Sequence, residues 1–103
     1  MRMWNVNPKK MCRQHLLGEH LEMHMFAGCI KKKIHLDGYI KKGLVETQNI
    51  KPRHDELVKE MKLRGYKHKS KLNFKTKLKL GKVNKIANQK ELIKRCKECR
   101  KLA

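Results

Sequence analysis

Acidic and aromatic side chains are scarce in this sequence, and long apolar runs are missing altogether. Nine Asp and Glu stand against 28 Lys and Arg in 103 residues, giving a formal charge of +19, and aromatics make up 5%. So few acids exclude a self-neutralising surface. Charge this one-sided weakens a fold by self-repulsion and is offset by a polyanionic partner, nucleic acid first and an acidic membrane surface second. With 39% hydrophobic residues, a chain of this length buries about 60–70% of its unfolded surface, enough for one thin core. The expectation is a single domain spanning residues 1–103, with any active site near the surface. The longest apolar run, Met25 to Ile30, is interrupted by Gly28, against the roughly 20 residues that cross a bilayer. The opening MRMWNVNPKK lacks the apolar stretch of a signal peptide. An intracellular protein without a membrane partner is expected, in cytoplasm or nucleoid, or in host cytoplasm if viral.

Cysteine is present at an even count, Cys12, Cys29, Cys96 and Cys99, but without a secretory signal the count does not argue for disulfides. Cys96 and Cys99 form a C-x-x-C, half of a zinc site, while Cys12 and Cys29 supply no second pair. No metal is assigned on this basis. The alternatives are a zinc half-site and a half-buried cysteine pair on a C-terminal helix.

The periodicity predicts an all-α domain of about three helices. The first six residues read as extended, and Asn7 with Pro8 starts a helix running to about Gly28. Residues from Lys31, with Gly38 and Gly43, read as an irregular connection. Pro52 opens a second helix, PRHDELVKEMKLRG, stopped by Gly65. Asn88 with Glu91 resembles a capping box before a third helix containing Leu92, Ile93 and Cys96. Residues 61–90 hold 11 Lys and Arg and no acid. There Lys67, Lys69, Lys71, Lys75, Lys77 and Lys79 share one parity and Leu72, Phe74, Leu78 and Leu80 the other. Extended at about 3.3 Å per residue, these lysines would form a ladder on the order of 40 Å long, suited to a phosphate backbone. A solvated loop is the alternative.

In the first helix His15, Glu19 and Glu22 fall at i, i+4 and i+7, flanked by Met11 and Phe26. That arrangement suits general acid/base work in a partly desolvated setting, or else a wet helix face. His20 and His24, also i,i+4, lie on another face and lack a third ligand at defined spacing.

The segment RMWNVNPKKMCRQHLLGEHLEMH, Arg2 to His24, resembles the N-terminal signature of the pyrimidine-dimer DNA glycosylase family. KPRHDELVKEMKLRGYKHKS, Lys51 to Ser70, is similar to a second signature of its cellular members. Together they cover a little under half the chain. The resemblance implies a compact, mainly helical domain that flips a nucleotide from the duplex and attacks deoxyribose C1′ with its N-terminal α-amine. A Schiff base forms, and a helix glutamate, matched by Glu22, assists glycosyl transfer and β-elimination. An α-amine titrates near about 7.7–8.0, so part of it is free nucleophile at neutrality. In phage members the initiator methionine is removed to expose threonine; Arg2 is too bulky for that, which leaves the Met1 amine. Two phosphate-binding arginines flanking the family glutamate are replaced by Leu21 and Met25, and the phage members' aromatic C-terminus by IKRCKECRKLA.

The resemblance also implies roles for other residues. Arg2, Arg13 and His15 orient the sugar-phosphate. Trp4 matches an aromatic position, as core packing or as a base-stacking platform. Arg53 and His68 contact DNA, joined by the six lysines. No cofactor is implied. The expected partner is double-stranded DNA with a damaged or abasic site, bound by a monomer. Two other readings stand beside this glycosylase and abasic-site lyase: a non-catalytic RNA- or ribosome-associated binder on the same scaffold, and a metal-dependent nuclease using His15, Glu19 and Glu22.

Overall fold

In the computed structural model, which describes residues 1–103, five helices form and no strand does: α1 Arg13–Lys31, α2 Asp37–Lys41, α3 Ile50–Leu63, α4 Lys85–Arg95 and α5 Lys97–Lys101. The all-α expectation holds, with α1, α3 and α4 as the three substantial helices. Along α1, Leu16, Glu19, Met23, Phe26 and Ala27 are buried, the 3- and 4-residue spacing of one helix face. Ile50, Arg53, His54, Leu57, Val58 and Met61 do the same along α3. These faces pack on each other as the main helix–helix contact. Each large apolar side chain buried there contributes about 1.5–3 kcal/mol.

The helix expected from Pro8 does not run through. Asn7 caps only a 3-10 turn, Pro8–Lys10, and Met11 is extended at φ −103°, ψ 136°. The cause is distant in sequence. The Arg64 guanidinium donates to the carbonyls of Pro8 (3.0 Å) and Met11 (2.6 Å), which holds these carbonyls out of a helical ladder. The predicted stop at Gly65 is present: its φ is +81°, its N–H bonds Lys62 O, and Tyr66 N–H bonds Met61 O, the paired bonds of a Schellman end.

The connection after α1 is less irregular than expected, since it contains α2 and a second 3-10 turn, Thr47–Asn49. The basic segment between α3 and α4 has no regular secondary structure. Its six alternating lysines are exposed, and Leu72 and Phe74 are buried, but Leu78 and Leu80 are 44% and 45% exposed. The two-faced pattern therefore holds only for its first half. Its end is fastened to residues 45–47. Thr47 N–H bonds Leu80 O at 2.9 Å, Leu80 N–H bonds Thr47 Oγ1 at 2.8 Å, and Val83 N–H bonds Glu46 Oε2 at 2.7 Å. Gly81, at φ +89°, passes so close that a Cβ would stand 2.1 Å from Val45 O.

The last helix starts earlier than predicted. Asn84, not Asn88, is the cap, its side chain accepting from Ala87 N–H at 3.0 Å. Asn88 lies inside α4 and donates to Trp4 O at 2.8 Å. The chain is extended again at Cys96, which separates α5 from α4. No helix is long and apolar enough to cross a membrane.

Candidate active site

The first residues of the chain are held against the fold. Met3 N–H bonds Leu44 O at 2.7 Å, and Met3, Trp4 and Val6 are buried. Asn5 takes a positive φ of 58°, a conformation that Asn tolerates better than most residues, and this bends the chain where it passes α1. Arg2 reaches the tail: Nη2 donates to Asn88 Oδ1 at 2.7 Å, Nη1 pairs with Glu91, and the guanidinium lies 3.9 Å above the Trp4 ring.

Glu22, on α1, is half-buried beside this N-terminal segment. Burial pushes its carboxyl above the usual carboxylate range; the N-terminal ammonium and the Arg2 backbone N–H oppose that shift, and Glu19 adds to it. A carboxyl raised by desolvation and close to an amine is equipped for proton transfer. On the neighbouring helix surface Leu21 and Met25 are 59% and 48% exposed, so apolar side chains flank the carboxyl.

The stripe His15, Glu19, Glu22 does not converge on one centre. Glu19 is buried and forms a two-pronged ion pair with Arg53, Nε to Oε2 at 2.6 Å and Nη2 to Oε1 at 2.8 Å. Both side chains are sealed from solvent, at 0% and 2% exposure. Arg53, expected on DNA, is thus spent inside the protein, with its remaining donors on Glu56 and the Met11 sulfur. His15 turns toward Cys12 Sγ (3.2 Å) and Cys99 Sγ (3.7 Å). Trp4 packs edge-on against His15, and at 6% exposure it offers no stacking platform. Arg13 is exposed over the Tyr66 ring.

Two groups of side chains carry ligand-type atoms within 4.8 Å of one another: Cys12, His15, Cys96 and Cys99, and His20, His24, His54 and His68. In the second group His24 and His54 meet Nε2 to Nε2 at 3.1 Å, and His20 and His68 at 3.0 Å, while Asp55 holds His54 Nδ1 at 2.9 Å. His68, expected on DNA, is half-buried and belongs to this cluster. Sequence spacing showed only the His20–His24 half; the other half comes from α3 and the segment beyond it.

The imidazole cluster makes stability pH-dependent. His20 is pushed down to about 4 by burial and by its neighbours His54, His24 and His68. Burial likewise lowers His24 and His68, with Lys31 acting on the former and Lys62 on the latter, where Asp55 opposes. An unfolded histidine titrates near about 6.5, so below that pH the unfolded chain binds protons that the folded cluster refuses. Unfolding free energy is therefore expected to fall as pH drops from about 6.5 toward about 4. Urea melts across that window should show this slope, and it should flatten in His20→Gln; the same slope in both proteins would refute the assignment.

Residues 1–74 match the family model described as pyrimidine dimer DNA glycosylase, so the match includes the N-terminal segment, α1, α3 and the start of the basic segment. No curated protein and no solved structure matches the chain. α4 and α5 lie beyond the matched residues. With 74 of its 103 residues matched, the chain belongs to the pyrimidine dimer DNA glycosylase family, whose chemistry is DNA repair.

Proposed function

We propose that this protein acts on duplex DNA carrying a pyrimidine dimer or an abasic site, as glycosylase and abasic-site lyase, with the α-amine of Met1 as nucleophile and Glu22 as the acid/base residue. The reading rests above all on Glu22, a half-buried carboxyl raised by desolvation and acted on by the charge of the N-terminal ammonium, whose segment is anchored by Met3 and Arg2. The free amine attacks C1′ and displaces the base, which leaves with a proton from the amine; the C1′–O4′ bond then breaks, Glu22 protonates O4′, and the opened sugar is left as the imine. At an existing abasic site the amine condenses instead with the aldehyde and releases water. The resulting imine acidifies the C2′ proton. Glu22 takes that proton, the C3′–O bond breaks, and the 3′ phosphate leaves; hydrolysis then returns the amine.

Affinity comes from phosphate neutralisation by the exposed Lys67, Lys69, Lys71, Lys75, Lys77 and Lys79, with Arg13 at the start of α1. Flipping the nucleotide costs a few kcal/mol, least at a damaged base. The exposed Leu21 and Met25 would fill the space it vacates, much as apolar wedges do between base steps. The protein works as a monomer with no membrane partner.

Borohydride trapping tests the reading. Incubated with a duplex bearing one abasic site and reduced, the protein should yield a covalent adduct that peptide mass spectrometry places on Met1. An N-terminal extension that buries the amine in a peptide bond should abolish the adduct while leaving duplex binding intact. No adduct, with salt-sensitive binding retained, would leave a nucleic-acid-binding protein on the same scaffold.

A further inference from the structure

Three thiols and an imidazole meet where the beginning of α1 touches the end of the chain. Cys12 precedes α1 and His15 lies in its first turn, while Cys96 stands between α4 and α5 and Cys99 lies within α5. Cys12 Sγ lies 3.2 Å from His15 Nδ1 and 3.9 Å from Cys96 Sγ, and Cys99 Sγ lies 3.7 Å from His15 Nδ1. A tetrahedral zinc with Zn–S of about 2.3 Å and Zn–N of about 2.0–2.1 Å separates its sulfurs by about 3.8 Å and sulfur from nitrogen by about 3.6 Å. These three separations fall within a few tenths of an ångström of those values, and the four ligand atoms all lie within 4.8 Å of one another.

The backbone supports the sulfurs as it does around metal thiolates. Cys12 N–H points at Cys99 Sγ (3.2 Å), and Cys99 N–H at Cys96 Sγ (3.4 Å). The spacing is that of two short knuckles, Cys12-x-x-His15 and Cys96-x-x-Cys99. The first knuckle escapes a search for paired cysteines because its second ligand is a histidine. All four cysteines are unbridged, and Cys29 stands outside the cluster.

We propose that Cys12, His15, Cys96 and Cys99 bind a structural zinc ion that fastens the C-terminal tail to the first helix. The donor set selects the metal: three thiolates and an imidazole in a tetrahedral arrangement suit zinc over the harder oxygen-seeking cations. Four protein ligands close the coordination sphere, so the ion is structural and leaves no position for a substrate or water. What it joins is specific to this chain. The tail lies beyond the family-matched residues, and the cross-link spans 84 residues between Cys12 and Cys96. The site is separate from Met1 and Glu22 and does not depend on the catalytic proposal.

Metal analysis of the full chain, purified reduced and without chelator, tests this directly. Stoichiometric zinc is expected in the wild type and in Cys29→Ser. Cys12→Ser and Cys99→Ser should lose zinc affinity by more than the 10–100-fold that removing an outer-shell partner costs. Should those variants fail to fold, cobalt titration of the metal-stripped wild type replaces them. Tetrahedral thiolate coordination then gives a sulfur-to-cobalt charge-transfer band in the near ultraviolet and intense visible bands. Wild type that carries no zinc and shows no such band overturns the proposal. So does equal zinc loss in Cys29→Ser and Cys99→Ser, or cobalt bound without the sulfur band, which would place the ion on the four imidazoles.

Discussion

Glu22→Gln is expected to bind abasic duplex as the wild type does and to cut it 10²- to 10⁴-fold more slowly, the usual contribution of a positioned acid/base group. Glutamine keeps the size and the half-buried position of the side chain but cannot take the C2′ proton, so the loss should fall on kcat and leave affinity, which we assign to the lysines, in place. Single-turnover cleavage paired with equilibrium binding separates the two. The trapped imine should still form in the variant, since the amine is untouched, and should accumulate because elimination is blocked. In the wild type the acid limb of kcat/KM should lie above the usual carboxylate range, following the upward shift that burial imposes on Glu22, and it should vanish in the variant. A variant that cuts within a factor of about three of wild type would remove Glu22 from the mechanism.

The second large effect concerns stability. Arg53→Met leaves Glu19 as an unpaired carboxylate with no exposed side-chain surface, and breaking a buried pair from one side costs about 3–5 kcal/mol. Against a total of about 5–15 kcal/mol for a typical domain, that is a large fraction. Arg53→Lys should recover little, because an ammonium cannot donate in parallel to both carboxylate oxygens. Replacing both partners, Glu19→Leu with Arg53→Met, should be less damaging than Arg53→Met alone, since no buried charge is left behind. Denaturant midpoints at constant m-value measure all three. A cost under about 1 kcal/mol for Arg53→Met would mean that solvent reaches Glu19 after all. Any loss of DNA affinity in this variant should track the loss of folded protein, because the guanidinium faces inward.

The helices were legible where periodicity is local. Leu57, Val58 and Met61 followed by Gly65 specify α3 and its end, and the run from Leu16 to Phe26 specifies most of α1. The errors arise where a partner far along the chain decides. Arg64 reaches back to Pro8 and Met11 and delays the start of α1. Glu19 claims Arg53 across 34 residues, and nothing at either position alone distinguishes a buried ion pair from an exposed acid and a DNA-binding base. His15 shares a helix stripe with Glu22, but two turns of helix lie between them, and the thiols of the tail set its direction. The lysines read correctly as exposed because charge alone excludes them from a thin core. Leu78 and Leu80 did not follow the alternation, because after Phe74 the segment turns toward Thr47 and Val45, which it meets at Leu80 and Gly81, instead of continuing along a sheet.

Chain ends ordinarily fray, and a nucleophile at a frayed end would spend most of its time out of reach of a sugar. Here the hydrogen bond from Met3 to Leu44, the burial of Met3 and Trp4, and the grip of Asn88 and Glu91 on Arg2 hold the first residue almost as an internal one. The translational and rotational freedom that the amine would surrender on meeting DNA is thus surrendered during folding. In intramolecular reactions such prior confinement corresponds to effective concentrations of up to about 10⁵–10⁸ M. Because Asn88 and Glu91 belong to α4, the reach of the proposed nucleophile would be set partly by a helix outside the family-matched residues, and the tail would tune local concentration at the site without touching its chemistry.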